Sequence, residues 1–149
     1  MRRLVNEAIK DNWDDLGIHH HKEDEIIYVP VVNIITPSNL LVLTYKSYPF
    51  VSPKVKYKEK DLLIFYGDLS QARNRSIVLD MNKLMDGESC MCCKSLLCRD
   101  NWNVQCSIKD IMNEFNNFCK IKWRCTARFW SRRIASRYLV EDIPLHEYL

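Results

Sequence analysis

An α+β domain, with helices set apart from an antiparallel meander, is the fold class this sequence predicts. Three observations carry it. Apolar residues recur at helical spacing near the start of the chain. From Ile26 to Tyr57 the pattern changes to β-rich runs separated by prolines. After Ser107 helical spacing returns and persists. Helix, strands and helices in separate blocks are the order of an α+β domain, not of an alternating α/β one.

Arg2 to Trp13 places Leu4, Val5, Ala8 and Ile9 on one helical face. Asp14-Asp15-Leu16-Gly17 breaks it. His19-His20-His21 follows among charged residues and is expected to be a solvated loop. Three consecutive residues do not face one point on a strand or helix, so a metal site there is the weaker reading. Ile26 to Thr36 is rich in Ile and Val and forms a strand, an edge strand by reason of Pro30. Pro37-Ser38-Asn39 turns the chain and Leu40 to Tyr45 returns as the second strand. Tyr48-Pro49-Phe50-Val51-Ser52-Pro53 is held extended by its prolines. Lys54 to Tyr57 alternates polar and apolar as a third strand, and Leu62 to Tyr66 is a candidate fourth, ending at Gly67. Gln71 to Arg75 reads as loop and Ser76 to Leu79 as a short apolar piece. Ser107, with Asp110 three residues on, is close to a capping box. It opens a helix carrying Ile108, Ile111, Met112, Phe115 and Phe118 on one face. A further helix is expected from Thr126 to Leu139, with Ala127, Trp130, Ile134 and Tyr138 along its packing face.

The 149 residues make one domain, residues 1–149, with an ordinary share of charged (28%) and apolar (47%) residues. No apolar run is long enough to span a membrane, and the basic start lacks the apolar core of a secretory signal. Seven cysteines, an odd number without such a signal, imply an intracellular, reducing compartment and thiols rather than a disulfide framework. Between Lys120 and Arg137 there are seven basic residues and no acidic one, while the rest of the chain has fifteen basic against nineteen acidic. That stretch is read as a solvated helix face. A pI near 8.4 falls below that of a dedicated nucleic-acid binder, so neither nucleic acid nor membrane is an expected partner.

Chemistry concentrates in Cys90, Cys92, Cys93 and Cys98, which fall within nine residues. Asp86-Gly87 marks a turn just before Cys90, the partly exposed setting a reactive thiol needs. The bland alternative is that the cysteines are small buried hydrophobes. Zinc is a second alternative, but Cys92 and Cys93 are adjacent and point apart in extended backbone, so bringing four thiolates together demands a distorted loop. No metal or cofactor is expected, and Cys92 or Cys93 is expected to be buried among apolar groups.

In order and spacing these motifs resemble the ubiquitin-conjugating enzyme family over residues 2–139. The N-terminal helix opens with Arg-Arg-Leu. Tyr48-Pro49-Phe50-Val51-Ser52-Pro53-Lys54-Val55 is similar to the family's Tyr-Pro-x-x-Pro-Pro-x-Val segment, with Ser52 for one proline. Cys90 to Trp102 resembles the active-site cysteine followed by its Asn-Trp pair, and Ser107 to Ile111 the start of the crossover helix. The doubled cysteines look like a divergent branch, of the kind large DNA viruses carry. The resemblance implies a UBC-like fold: an N-terminal helix, a meander of about four strands and C-terminal helices. It implies that a cysteine receives ubiquitin or a ubiquitin-like protein from an activating enzyme as a thioester. A substrate lysine then attacks, with a ligase assisting. The family's His-Pro-Asn tripeptide is absent; Asp80-Met81-Asn82 keeps only the asparagine, the implied oxyanion donor. Counting forward from Asn82 places the nucleophile at Cys90, and counting back from Trp102 places it nearer Cys93. Lys94 favours the thiolate at Cys90, whereas Asp86 and Glu88 oppose it. The fold also occurs in inactive binding or scaffold modules, the alternative function. Trp102 is expected to pack in the core with its indole N–H on one partner.

Overall fold

The computed structural model describes residues 2–31, 40–70, 75–84 and 91–138. Helix α1 (Arg2–Lys10) is followed by strands β1 (His19–His21), β2 (Ile26–Pro30), β3 (Leu40–Thr44), β4 (Lys54–Tyr57) and β5 (Lys60–Asp61). Four helices complete the order: α2 (Leu62–Ser70), α3 (Arg75–Leu84), α4 (Met91–Lys94) and α5 (Ile108–Tyr138). The five strands form one antiparallel meander in chain order. The α+β class with its separated blocks is therefore the one observed.

Period-two patterning decides the sheet's inner face. Val29, Leu41 and Tyr57 line up across β2, β3 and β4, and so do Ile27, Leu43 and Val55. All six are buried. Helix α5 covers them: its Phe115 ring lies 4.8 Å from that of Tyr57, and Ile108, Ile111 and Phe118 are buried beside it. Fully burying an aliphatic or aromatic side chain stabilises by about 1.5–3 kcal/mol, so these two rungs and the α5 face are the main source of cohesion. On α1, Leu4 enters the core while Ile9 stays exposed. The chain leaves α1 through Asn12 and Gly17, both at positive φ. A Cβ on Gly17 would stand 3.4 Å from the Pro30 ring, an ordinary contact, so it is the positive φ that favours glycine there.

Several expectations are corrected. His19–His21 is not a loop but the edge strand β1, paired with Tyr28, Ile27 and Ile26. Alternation turns only His20 inward, where it packs edge-on against Trp13 and Tyr45. Pro30 lies on an inner strand, yet β1 pairs no further than Tyr28, so the ladder on that side has already ended. Residues 32–39, with the expected turn at Pro37-Ser38-Asn39, lie outside the described ones. Leu62 to Tyr66 is helical, not a strand. Asp61 Oδ1 accepts from Leu63 N–H at 2.9 Å, an N-cap that starts α2, and Leu62 and Tyr66 are buried one turn apart. Ser76 to Leu79 lies inside α3, which buries Met81 and packs on α5. The two C-terminal helices are one: α5 runs 31 residues because no Gly or Pro interrupts it. Among the described residues no helix is long and apolar enough to cross a membrane.

Candidate functional site

The segment from α4 to the start of α5 carries the described cysteines of the cluster, and polar contacts fix it on two sides. Toward α5, Glu114 accepts from Ser95 Oγ and from Leu96 N–H, each at 2.7 Å. Ser95 is buried, and its Oγ also accepts from Leu97 N–H at 3.1 Å. Leu97 is thereby drawn into the core. Toward the proline segment, Trp102 Nε1 donates to the Pro49 carbonyl at 2.8 Å, and its ring leans on Tyr48, 6.0 Å between centroids. Trp102 is thus half-buried against the core with its indole N–H on one partner, as its chemistry required. Ser52 Oγ donates to the Leu97 carbonyl at 3.3 Å. The Tyr48–Pro49 peptide is cis.

Asn101 Nδ2 donates to the carbonyls of Cys93 and Ser95, at 2.6 and 3.0 Å. It closes the end of α4, where helix carbonyls lack intrahelical partners. Cys93 stands exposed on that short helix as a free thiol. Cys98, Cys106, Cys119 and Cys125 are also free. Burial pushes the thiols of Cys119 and Cys125 up, which leaves them poor nucleophiles. Cys92 is half-buried against the core, short of the burial expected of one of the pair, and its Sγ lies 3.9 Å from that of Cys93. It is disulfide-bonded, which departs from the expectation of thiols throughout.

Of the three sequence-derived site residues, only Cys93 is described with its side chain. Asn82 lies within α3, in regular helix rather than at a turn; its side chain is outside the described ones. Cys90 also lies outside them, with Asp86 and Glu88. The described histidines all stand on β1, and His20 is hydrogen-bonded to Tyr45 at 2.5 Å. Among the described residues, no three His, Cys, Asp or Glu side chains gather as a metal-ligand set.

A second polar centre supports the segment from below. Glu7 on α1 is buried. Its Oε1 accepts from Arg3 Nε at 2.7 Å and from the Tyr48 hydroxyl at 2.5 Å. Its Oε2 accepts from Ile108 N–H at 3.2 Å, the first residue of α5. Arg3 continues to the carbonyls of Val104 and Cys106. Burial, reinforced by Glu7, holds the Tyr48 phenol well above its usual range, so it acts as a donor. Beside this centre a groove of about 590 Å³ opens between α1 and α5. Its walls mix both charges, and Lys109 bridges it to Asp11 at 3.6 Å.

Sequence reasoning missed Glu7, Ser95, Asn101 and Glu114. Glu7 falls on the polar remainder of an amphipathic helix and Glu114 within a polar stretch of α5. Neither position signals its partner, which is 101 residues away for Glu7 and 19 for Glu114. Compared with known protein families, with characterised proteins and with solved structures, the chain shows no match.

Proposed function

We propose that this chain carries ubiquitin or a ubiquitin-like protein as a cysteine thioester and passes it to a substrate lysine on a UBC-like fold. One observation supports the reading best. Three of the four segments that carry the resemblance touch one another: Trp102 bonds to Pro49, Ser52 bonds to Leu97, and Glu114 of the helix opened by Ser107 holds Ser95. Cys93, at the head of that clamped segment, is exposed and free. In the reaction a thiolate attacks the carbonyl that joins the modifier to the activating enzyme's cysteine. The enzyme's thiolate leaves. A lysine amine then attacks the new thioester and expels the thiolate as the amine loses its proton. Cys90 is the nucleophile by its match to the family's motif and Cys93 the alternative by exposure, with Asn82 the oxyanion donor and a ligase assisting.

A noncatalytic binding module is the second reading. Asn82 in the regular helix α3 favours it, since the family presents this asparagine from a turn. The test is charging under mild reduction, because Cys92 is disulfide-bonded. The chain is incubated with activating enzyme, ATP and ubiquitin or a ubiquitin-like protein, and a thiol-sensitive adduct is sought. An adduct lost in Cys90→Ala assigns the nucleophile there, and one lost only in Cys93→Ala moves it. No adduct with any modifier sinks the carrier reading and leaves the binding module.

A further inference from the structure

Cys92 and Cys93 bring two sulfur atoms together at the surface. In extended backbone adjacent side chains point apart, which keeps such a pair from sharing a ligand. Helix α4 changes that geometry, because neighbours on a helix are turned by only about 100°. The two Sγ atoms stand 3.9 Å apart, too far to be bonded to each other. Metal–thiolate bonds of about 2.3 Å bridge sulfurs up to about 4.6 Å apart, so one ion can touch both. Cys93 is exposed and Cys92 is half-buried against the core, so one sulfur is anchored and the other is open to a ligand. Polar contacts brace the segment beneath them. Asn101 holds the carbonyls of Cys93 and Ser95, and Glu114 holds Ser95 and Leu96. An exposed thiol is not the small buried hydrophobe that most free cysteines are.

The number of sulfurs selects the ligand. A structural zinc takes four protein ligands, and among the described residues no third His, Cys, Asp or Glu joins the pair. A soft monovalent ion is content with two, and thiolate ligands select Cu(I). We propose that the reduced Cys92–Cys93 pair is a two-thiolate site for Cu(I). Cys92 is disulfide-bonded, so reduction comes first. Two equivalents of a small thiol supply two electrons and two protons to that disulfide and leave as a disulfide of their own. The ion then displaces one proton from each thiol. Copper stays monovalent, and nothing is oxidised in this step. Because two protons are released, affinity falls as pH drops. The pair with its ion carries one net negative charge, and the exposed Lys94, next in the chain, carries the opposite one. The site asks nothing of catalysis and stands apart from the carrier reading.

The test is anaerobic competition for Cu(I) against the chromophoric chelator bicinchoninate. The full chain is first reduced mildly and freed of reductant. It is expected to withdraw one equivalent of copper, less readily at pH ~6 than at pH ~8. The unreduced chain is expected to compete far less. Cys92→Ser and Cys93→Ser should each weaken binding by at least about tenfold, since losing an outer-shell partner alone costs that much. Cys90→Ser and Cys98→Ser are expected to keep it. Far-UV circular dichroism checks that each variant is folded, and Cys93, being exposed, can be replaced without disturbing the core. The proposal is overturned if the reduced chain withdraws no copper, or if the unreduced chain binds it equally well. It is also overturned if Cys93→Ser retains the parental affinity, or if Cys90→Ser or Cys98→Ser weakens binding as much, which assigns the ion to a different pair of sulfurs.

Discussion

Glu114 and Ser95 are joined across α5 and the cysteine-bearing segment, Oε1 to Oγ at 2.7 Å. The same carboxylate takes Leu96 N–H through its other oxygen. Truncating it leaves a buried hydroxyl and an amide without their acceptor. Hydrogen bonds to charged groups contribute about 1.5–3 kcal/mol each, with losses at one site less than additive. Glu114→Ala is expected to lower unfolding stability by about 3 kcal/mol in urea titration. Below the transition it should also speed thiol labelling of the half-buried Cys98, whereas Cys93, already exposed, should change little. Unchanged Cys98 labelling would show that Glu114 does not hold the segment down.

Alkaline stability should depend on Tyr48. Burial first, then its hydrogen bond to Glu7, raises its folded pKa above the unfolded one. The stabilisation is therefore fully present below the unfolded value near 10 and is lost as pH rises beyond it, because the unfolded chain releases the proton first. Burial, and next the charge of Glu114, act on Tyr66 in the same direction. Tyr48→Phe is expected to cost about 1 kcal/mol at neutral pH. It should also flatten the decline in stability above pH ~10. Denaturant titrations at neutral and alkaline pH check both.

The acid side should depend on His20. Burial, then the charges of Lys22 and His21, lowers its folded pKa. Its neutral form is favoured in the fold, so stability is full above the unfolded value near 6.5 and falls as pH drops through it. His20→Asn should remove that part of the slope between pH 7 and pH 5 while lowering stability at neutral pH, as measured by thermal midpoints. An unchanged slope would show that carboxylates alone set the acid response.

The β4–β5 turn is a site for stabilisation. Lys58 and Glu59 both sit at positive φ, 49° and 65°, between Tyr57 and Lys60. A two-residue hairpin turn with both φ positive favours Asn-Gly. Left-handed backbone costs a side-chain-bearing residue about 1–2 kcal/mol. Lys58→Asn with Glu59→Gly is therefore expected to raise stability by about 1 kcal/mol. A lower urea midpoint would mean that the Lys58 contact on the Tyr57 ring, 5.4 Å away, outweighs the backbone term.

What the sequence made legible follows from local periodicity. The alternation in Lys54–Tyr57 and the spacing of Ile108, Ile111, Phe115 and Phe118 named the buried residues correctly because both patterns are set by local geometry. Leu62–Tyr66 was misread because a short, evenly apolar run fits a buried helix as well as a strand. The cap that decides it, Asp61, is a single polar residue among several. Trp130 and Ile134 lie on one face as the spacing required, but spacing does not say whether that face turns inward or out. At the candidate site, Trp102's need for a partner was legible and the Pro49 carbonyl that meets it was not, since the two are 53 residues apart.

The bond from Glu7 to the first amide of α5 spans 101 residues. Its consequence is kinetic. Helix α5 has a cap of its own, since Ser107 Oγ accepts from Asp110 N–H at 3.2 Å, so its first turn can form from neighbours in sequence. Glu7 reaches the same turn only after nearly the whole chain has come together, and closing so long a loop is paid for before the contact repays it. The remote cap is therefore expected to form in the last stage of folding. Removing it should accelerate unfolding and leave the refolding rate almost unchanged, whereas removing Ser107 should slow refolding. One helix end would thus carry an early fastening and a late one, with the late one expected to govern how long the native state lasts.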